Sequence, residues 1–377
     1  MNLEELRRHL DGLDQRLIEI IAERQATARE IARVKGQSGR AIRDYGRERE
    51  VILGARARAE AAGVAPAVAE ALMRLLIRTS LTTQERARVV SQGAGSGRRA
   101  LVIGGAGKMG NWFAQFLASQ GFDVQIADRR AGKDAAAAGA ADPAAALKDW
   151  READLTHDFI VVATPLGITN QILQELARRK PSGVVFDVGS LKTPLRTGLE
   201  ALRAAGVKVA SIHPMFGPDT ELLSGRHIIH LDLGVPDARA QVEALFAATM
   251  AEQVVMGLDE HDRLIAYVLG LSHALNIAFF TALAESGESA PRLVQLSSTT
   301  FDAQFDIASR VAEESPELYF EIQRLNEFGA ESLDALARAV DALRSAVGAG
   351  DLQRFRTLML QGLEYTQGRR VLTQQRA

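Results

Sequence analysis

The sequence predicts an α+β multidomain protein in three parts: an all-helical N-terminal module, a doubly wound α/β domain, and an all-helical C-terminal domain. Three observations predict it. Leu3, Leu6, Leu10, Leu13, Leu17 and Ile20 step by three and four residues, the seam of one long helix. The run Leu101 to Gly110, LVIGGAGKMG, passes from branched apolar residues into Gly105-x-Gly107-x-x-Gly110 and then into a helical pattern. From Leu264 onward apolar residues recur at helical spacing and strand signals vanish. The expected boundaries are 1–90 for the helical module, 91–97 for a linker, 98–255 for the α/β domain and 256–377 for the second helical domain.

Composition narrows the function. A chain of 377 residues, 47% hydrophobic, can bury large cores, and a net charge of −2 argues against bulk nucleic-acid binding. The charge is uneven: residues 1–90 hold 17 Lys/Arg against 13 Asp/Glu, and the remainder holds 28 against 34. The first module is therefore the better home for an anionic ligand. The absence of cysteine excludes disulfides and thiolate metal sites, no metal is expected, and nothing at the N-terminus resembles a signal peptide, so a cytoplasmic location is expected. Leu264 to Ala284 is apolar enough to raise the question of a membrane span. Ser272, His273 and Asn276 within it, and Asp262 and Arg263 beside it, favour a buried helix at a subunit interface.

The first helix is expected to run to about Lys35. Its seam reaches Arg24 and Thr27 before Ile31 and Val34 restore it, and a guanidinium on an apolar face needs either an acid partner or a bound anion. Lys35 lies eleven residues beyond Arg24, roughly 16 Å along a helix, so the two can frame a small dianion. Arg7 lies twenty-eight residues from Lys35, about 42 Å, and can join such a site only from a second subunit. The seam gives a reason to dimerise, so a homodimer with shared sites is expected. After the turn Gly36-Gln-Ser-Gly39, a second helix carries Arg43, Asp44, Arg47 and Glu48, and a third, from about Ala67, carries Ser80 and Gln84.

This arrangement resembles the all-helical chorismate mutases over essentially the whole module. The resemblance implies that Arg7, Arg24 and Arg47 hold carboxylates, that Lys35 and Gln84 face the ether oxygen, that Glu48 and Asp44 hold the substrate hydroxyl and orient the cations, and that Ser80 lines the pocket. A pericyclic rearrangement of chorismate to prephenate needs no nucleophile. A dianion held in its reactive conformer, with cations and donors on the breaking bond, suffices.

In the α/β domain, Gly105 would turn the chain, Gly107 would admit a pyrophosphate, and Gly110 would pack helix on strand, with Lys108 and Met109 in the same cofactor-facing turn. Asp128, ending the alternating strand from Asp123, would accept the ribose hydroxyls and favour NAD over NADP. Arg129 and Arg130 leave a 2′-phosphate possible. Ser91 to Gly97 reads as a flexible linker. Strands at Val124 to Asp128, Phe159 to Ala163, Val184 to Val188, Val207 to Ile212 and His227 to Leu231 alternate with helices near Pro143 to Trp150, at Thr169 to Arg179 and at Pro194 to Ala205. Such alternation means a parallel Rossmann-type sheet, with ligands off the strand ends. Those ends are Thr164-Pro165, Asp187-Val-Gly-Ser190-Leu-Lys192 and His213-Pro-Met-Phe-Gly217-Pro-Asp219. A neutral His213 can accept a proton from a substrate hydroxyl during hydride loss, although a histidine there can also be merely hydrogen-bonded structure.

With DVGSLK upstream and Glu260-His261-Asp262-Arg263 downstream, the chain from about residue 100 is similar to the prephenate dehydrogenases. The resemblance implies that His213 accepts the hydrogen bond from the ring hydroxyl, that Ser190 supports it, that His261 lies near the nicotinamide side of the substrate pocket, and that Arg310 grips the substrate carboxylate. The alternative for Arg310 is an ion pair with Asp306. Tyr319 stands where many relatives have tryptophan. Together the two resemblances imply a bifunctional chorismate mutase and NAD-dependent prephenate dehydrogenase of tyrosine biosynthesis, acting on small molecules and neither on nucleic acid nor in a membrane. A monofunctional dehydrogenase with dimerising helices, or an NAD-binding sensor, would share many of the same residues.

Overall fold

The computed structural model describes residues 2–37, 43–130 and 146–375. Three helices open the chain: α1 (Leu3–Gln37), α2 (Tyr45–Ala61) and α3 (Pro66–Ser91). Asp44 caps α2 by accepting the Arg47 N–H at 2.9 Å, and α3 begins on Pro66, whose missing N–H costs nothing at a helix start. α3 packs against both α1 and α2. Of the described residues of α1 only Ala28 is buried, and its seam is bare: Leu3, Leu6, Leu10 and Ile20 are each 47–62% exposed. A long apolar stripe left uncovered by the described residues is what a helix–helix interface between copies requires.

The expected flexible linker is instead seated against the next domain. Gly95 N–H donates to Gln120 O at 3.0 Å. A Cβ at Gly93 would lie 2.4 Å from Gln120 O, and one at Gly95 2.4 Å from Phe122 N. The glycines serve close backbone approach here, not free motion.

The α/β domain follows as β1 (Arg99–Ile103), α4 (Lys108–Ser119), β2 (Asp123–Ala127), β3 (Phe159–Val162), α5 (Leu166–Arg179), β4 (Val184–Asp187), α6 (Arg196–Ala204), β5 (Val209–Pro214), β6 (His227–Leu231), α7 (Pro236–Leu245) and β7 (Glu252–Met256). The strand order is β2-β1-β3-β4-β5-β6-β7, parallel from β2 to β5, so the loops after β1, β3, β4 and β5 share one edge. The sheet is not wholly parallel: β6 runs antiparallel to β5, then β7 parallel to β6. β6 reverses because residues 215–226 return to the sheet as a loop without a helix, and only helical crossovers force parallel pairing. β7 was not expected from the sequence, and every residue of it but Met256 is exposed. Two apolar clusters, one centred on Leu101, Ile160 and Leu173 and the other on Phe113, Phe159 and Phe186, cover the two faces. Of the alanine-rich helix expected near Pro143 to Trp150, residues 143–145 lie outside the described residues and 146–149 are not helical: Leu147 bridges to Ala127 at the sheet edge, and a short 3-10 turn begins only at Trp150.

The rest is helical: α8 (Leu258–Ile265), a π-turn at Ala266–Leu271, α9 (Ser272–Glu285), α10 (Ala290–Gln295), α11 (Thr299–Ala312), α12 (Pro316–Leu325), α13 (Gly329–Gly348) and α14 (Leu352–Gln375). By length and composition Leu258–Glu285 could cross a membrane, with a mean hydropathy of 1.6 over its most apolar stretch and only 22% of that stretch buried. It is therefore not the helix buried within its own chain that a core would supply. Two contacts bring the C-terminal helices onto the strand-end edge of the sheet: Glu321 accepts the Leu166 and Gly167 N–H groups at the start of α5, and Glu314 pairs with Lys108 at 3.6 Å.

Candidate active sites

The first site is a cleft of about 740 Å³ over the ends of β1, β2 and β3, lined among others by Gly107, Asp128, Arg130 and Thr164. Its turn differs in detail from the expected one. Gly104, at φ +85, makes the sharp turn, while a Cβ on Gly105 would strike Ile126 at 2.5 Å and one on Gly110 would lie 2.1 Å from Gly104 O. Gly105 and Gly110 thus hold strand and helix together, and Gly107 caps α4 facing the cleft. The first N–H groups of α4, from Lys108 to Gly110, have no partner within the helix and suit an anion. Met109 is half-buried against the core, and Lys108 is exposed apart from its pair with Glu314. Asp128 accepts from Ala106 N–H at 3.2 Å and from Arg130 N–H at 2.9 Å. Burial opposes its charge, but the side-chain and backbone hydrogen bonds from Arg130 hold its carboxyl below the usual carboxylate value. Thr164 shares a hydroxyl–hydroxyl bond of 2.8 Å with Thr169.

The second site lies on the same edge, at the end of β5. His213 Nδ1 and His261 Nε2 are 2.9 Å apart, and His261 Nδ1 is 2.6 Å from Asp262 Oδ1. Asp262 also accepts the backbone N–H groups of Lys192 and Thr193. Burial would raise its carboxyl, but hydrogen bonds from His261 and Thr193 hold it low, so it is an anion. An anionic acceptor requires a proton on His261 Nδ1, a neutral His261 then accepts at Nε2, and His213 must donate from Nδ1. His213 Nε2 is left with its lone pair. Burial, then the neighbouring His261 and Lys192, push the His213 imidazole well below its ordinary value, so it is neutral at pH 7. Lys192, fully buried, bonds to Asp187 Oδ1 at 2.6 Å and to Ile212 O at 2.7 Å, pinning the end of β4 to the residue before His213. Ser190 Oγ is buried without a hydrogen-bond partner.

A third constellation belongs to the N-terminal helices. Arg24 Nη1 donates to Leu76 O at 2.8 Å and to Ser80 Oγ at 2.7 Å. Among the described residues it has no carboxylate partner, so burial lowers its pKa with nothing to oppose it. One turn on from Ser80, Gln84 Oε1 is buried and unpartnered. An uncompensated guanidinium beside unmet polar atoms favours the anion over the acid for Arg24.

Comparison with known proteins matches this division. Residues 6–85 fit the family model described as chorismate mutase type II, residues 113–245 that of the prephenate dehydrogenase nucleotide-binding domain, and residues 258–361 that of the prephenate dehydrogenase dimerization domain. A 4-amino-4-deoxyprephenate dehydrogenase of Streptomyces pristinaespiralis is 31% identical over 270 residues, 69% of this chain and 88% of that protein. The chain belongs to the prephenate dehydrogenase family. Its mutase helices make it one of the bifunctional chorismate mutase/prephenate dehydrogenases: the T-protein of Enterobacter agglomerans is 26% identical over 94% of this chain and 90% of its own length. Solved prephenate dehydrogenases share the fold of the second and third domains. One from Aquifex aeolicus superposes with a TM-score of 0.54 at 18% identity over 73% of this chain and 99% of that one, and a putative one from Corynebacterium glutamicum with 0.57 at 19% over 73% and 89%.

Within this bifunctional enzyme several expected residues stand differently from their anticipated places. His261 does not line the substrate pocket: it is fully buried, with both nitrogens engaged behind His213. Ser190 does not bond to His213, whose Nδ1 is already taken by His261. Asp44 is occupied as the α2 cap. Glu48 is gripped by Arg43, through Nε at 2.9 Å and Nη2 at 3.1 Å. Arg47 pairs with Glu50 and Arg7 with Glu4, both pairs exposed, and neither reaches Arg24 within one chain. Lys35 sits half-buried in the last turn of α1. Arg310, at the end of α11, is exposed and has no ion pair among the described residues, so Asp306 does not hold it. Sequence reasoning missed the roles of Asp262, Lys192 and Asp187, although all three lie inside quoted motifs. Their only signal was charge in segments that had to be buried.

Proposed function

We propose that residues 1–90 convert chorismate to prephenate and that residues 98–377 oxidise prephenate with NAD+ to 4-hydroxyphenylpyruvate and CO2, in the cytoplasm. The observation that carries the second half is the hydrogen-bonded series Asp262–His261–His213 at the sheet edge that also holds the dinucleotide cleft. His213 Nε2 takes the proton of the ring hydroxyl as hydride leaves the carbinol carbon. The electron pair of the breaking ring–carboxylate bond completes the aromatic ring, CO2 departs, and His213 returns the proton to the ring oxygen to give the phenol. Bound NAD+ supplies the hydride acceptor. The close-packed glycine turn, the free N–H groups of α4, Asp128 and Thr164 fit that cofactor, and Arg310 anchors a substrate carboxylate with its unpaired guanidinium. The buried, unpartnered hydroxyl of Ser190 is available to support the reacting groups.

For the mutase, Arg24 holds a carboxylate with Ser80 behind it. Gln84 donates from its amide to the ether oxygen, and Lys35, Arg47 and Glu48 complete the pocket. Arg7 enters from a second subunit. The exposed α1 seam supports this reading, and the match to a dimerization domain supports a homodimer. The experiment is direct: the purified protein, given chorismate and NAD+ but no prephenate, should generate NADH. NADH appearing only after prephenate is added would leave the N-terminal helices as a dimerisation arm, and no NADH with either would reject the dehydrogenase.

A further inference from the structure

The mutase helices are not a tethered neighbour of the α/β domain. Glu85, directly after Gln84 and only 3% exposed, accepts Leu223 N–H at 2.9 Å and Met250 N–H at 2.6 Å, so α3 is bolted to the loop between β5 and β6 and to the segment just before β7. The residue after Leu223 is Ser224, and its hydroxyl accepts Arg43 Nη1 at 2.7 Å. The same guanidinium lies 4.4 Å over the Tyr45 ring and forks both oxygens of Glu48. Arg43, Glu48 and Ser224 line one groove of about 440 Å³ between α2, α3 and residues 222–224.

We propose that Ser224, a residue of the dehydrogenase half, is a positioning residue of the mutase: it fixes Arg43, and Arg43 fixes the carboxylate of Glu48. This rests on the mutase reading of residues 1–90. An Arg–Glu pair on a helix surface holds weakly and samples several rotamers. A third anchor on the free Nη1 selects one of them, and Ser224 is itself immobilised because Glu85 pins the preceding amide. The mutase pocket is thus completed by the other catalytic domain, which gives a structural reason for carrying the two on one chain.

The test uses the full-length protein and measures chorismate consumption and prephenate oxidation on the same samples. Loss of one hydrogen bond of ordinary strength should lower mutase kcat/KM of Ser224→Ala by about two- to tenfold, chiefly through KM for chorismate. Ser224→Thr, which keeps the hydroxyl, should restore it, and prephenate kcat/KM should stay within about twofold. Arg43→Lys should lose at least as much as Ser224→Ala, because it also breaks the fork on Glu48, and adding Ser224→Ala to it should cost nothing further, because the linkage to Ser224 is already gone. Equal losses in both activities, additive losses in the double variant, or an unchanged mutase in Ser224→Ala would each overturn the proposal. A wild-type protein that leaves chorismate untouched would instead overturn the mutase reading beneath it.

Discussion

His213 and His261 are joined by one hydrogen bond, Nδ1 to Nε2 at 2.9 Å, and its direction is dictated by Asp262 on the far side of His261. Forty-eight positions apart in sequence, the two rings meet because α8 returns across the end of β5. The pair converts a fixed anion into a fixed lone pair on His213 Nε2.

Asp262→Asn should therefore damage oxidation without touching the substrate. An amide that donates to His261 Nδ1 reverses both tautomers and presents an N–H where a base is needed. Dehydrogenase kcat should fall by about 10²- to 10⁴-fold, the range for loss of a general base, with NAD+ affinity and mutase activity retained. Steady-state kinetics with isothermal NAD+ titration would show it, and a loss below about threefold would refute the relay.

The acid limb of prephenate oxidation should lie below pH 6.5. His213 works neutral, and burial depresses its pKa, so the active form survives as pH falls through the ordinary histidine range and is lost only below it. The same depression has a stability consequence of matching sign: below about 6.5 the unfolded chain binds a proton that folded His213 refuses, so stability declines as pH falls. A profile of kcat/KM against pH, beside urea midpoints at pH 7.5 and 5.5, measures both. A limb centred above 6.5 would contradict the assignment of His213.

Cofactor choice should turn on Asp128. Its carboxylate now occupies Arg130, which lies within reach of the same cleft. Asp128→Ala removes the acceptor for the ribose hydroxyls and frees Arg129 and Arg130 for a 2′-phosphate. KM for NAD+ should rise by roughly tenfold or more, as for one charge-assisted bond, while NADP+ becomes the better substrate of the two. If both cofactors weaken equally, Asp128 supports the turn rather than selecting the nucleotide.

Gln84→Glu should make the mutase dependent on acid. Gln84 is buried beside Ser80, so a carboxyl there is pushed up by desolvation, and only its protonated form can donate as the amide does. Mutase kcat/KM in the variant should rise as pH falls from 8 to 5, while the wild type stays flat over that range. A flat profile in the variant would remove Gln84 from the ether-oxygen role.

Much of this was legible in the chain itself, because periodicity and turn chemistry are local. The α1 seam, the glycine turn before α4, the strand endings at Thr164, Asp187 and His213, and the helical run beyond Leu264 all follow from residues within a few positions of one another. The reversal of β6, the Gly104 turn and the packing of the 91–97 segment did not follow, since each depends on which backbone lies a few ångströms away across the fold.

The sequence by itself determined which chemical groups the protein has and roughly which element carries each: a histidine at a strand end, an acid after β2, an arginine breaking an apolar seam. Only the tertiary structure decided their partners. His213 faces His261, Arg24 reaches Ser80 with no carboxylate partner among the described residues, and Glu85 reaches into another domain. The physical reason is that a side chain's protonation and direction are set by burial and by the groups within about 3 Å of it, and contacts made 48 to 165 positions apart in sequence leave no periodic trace in the chain.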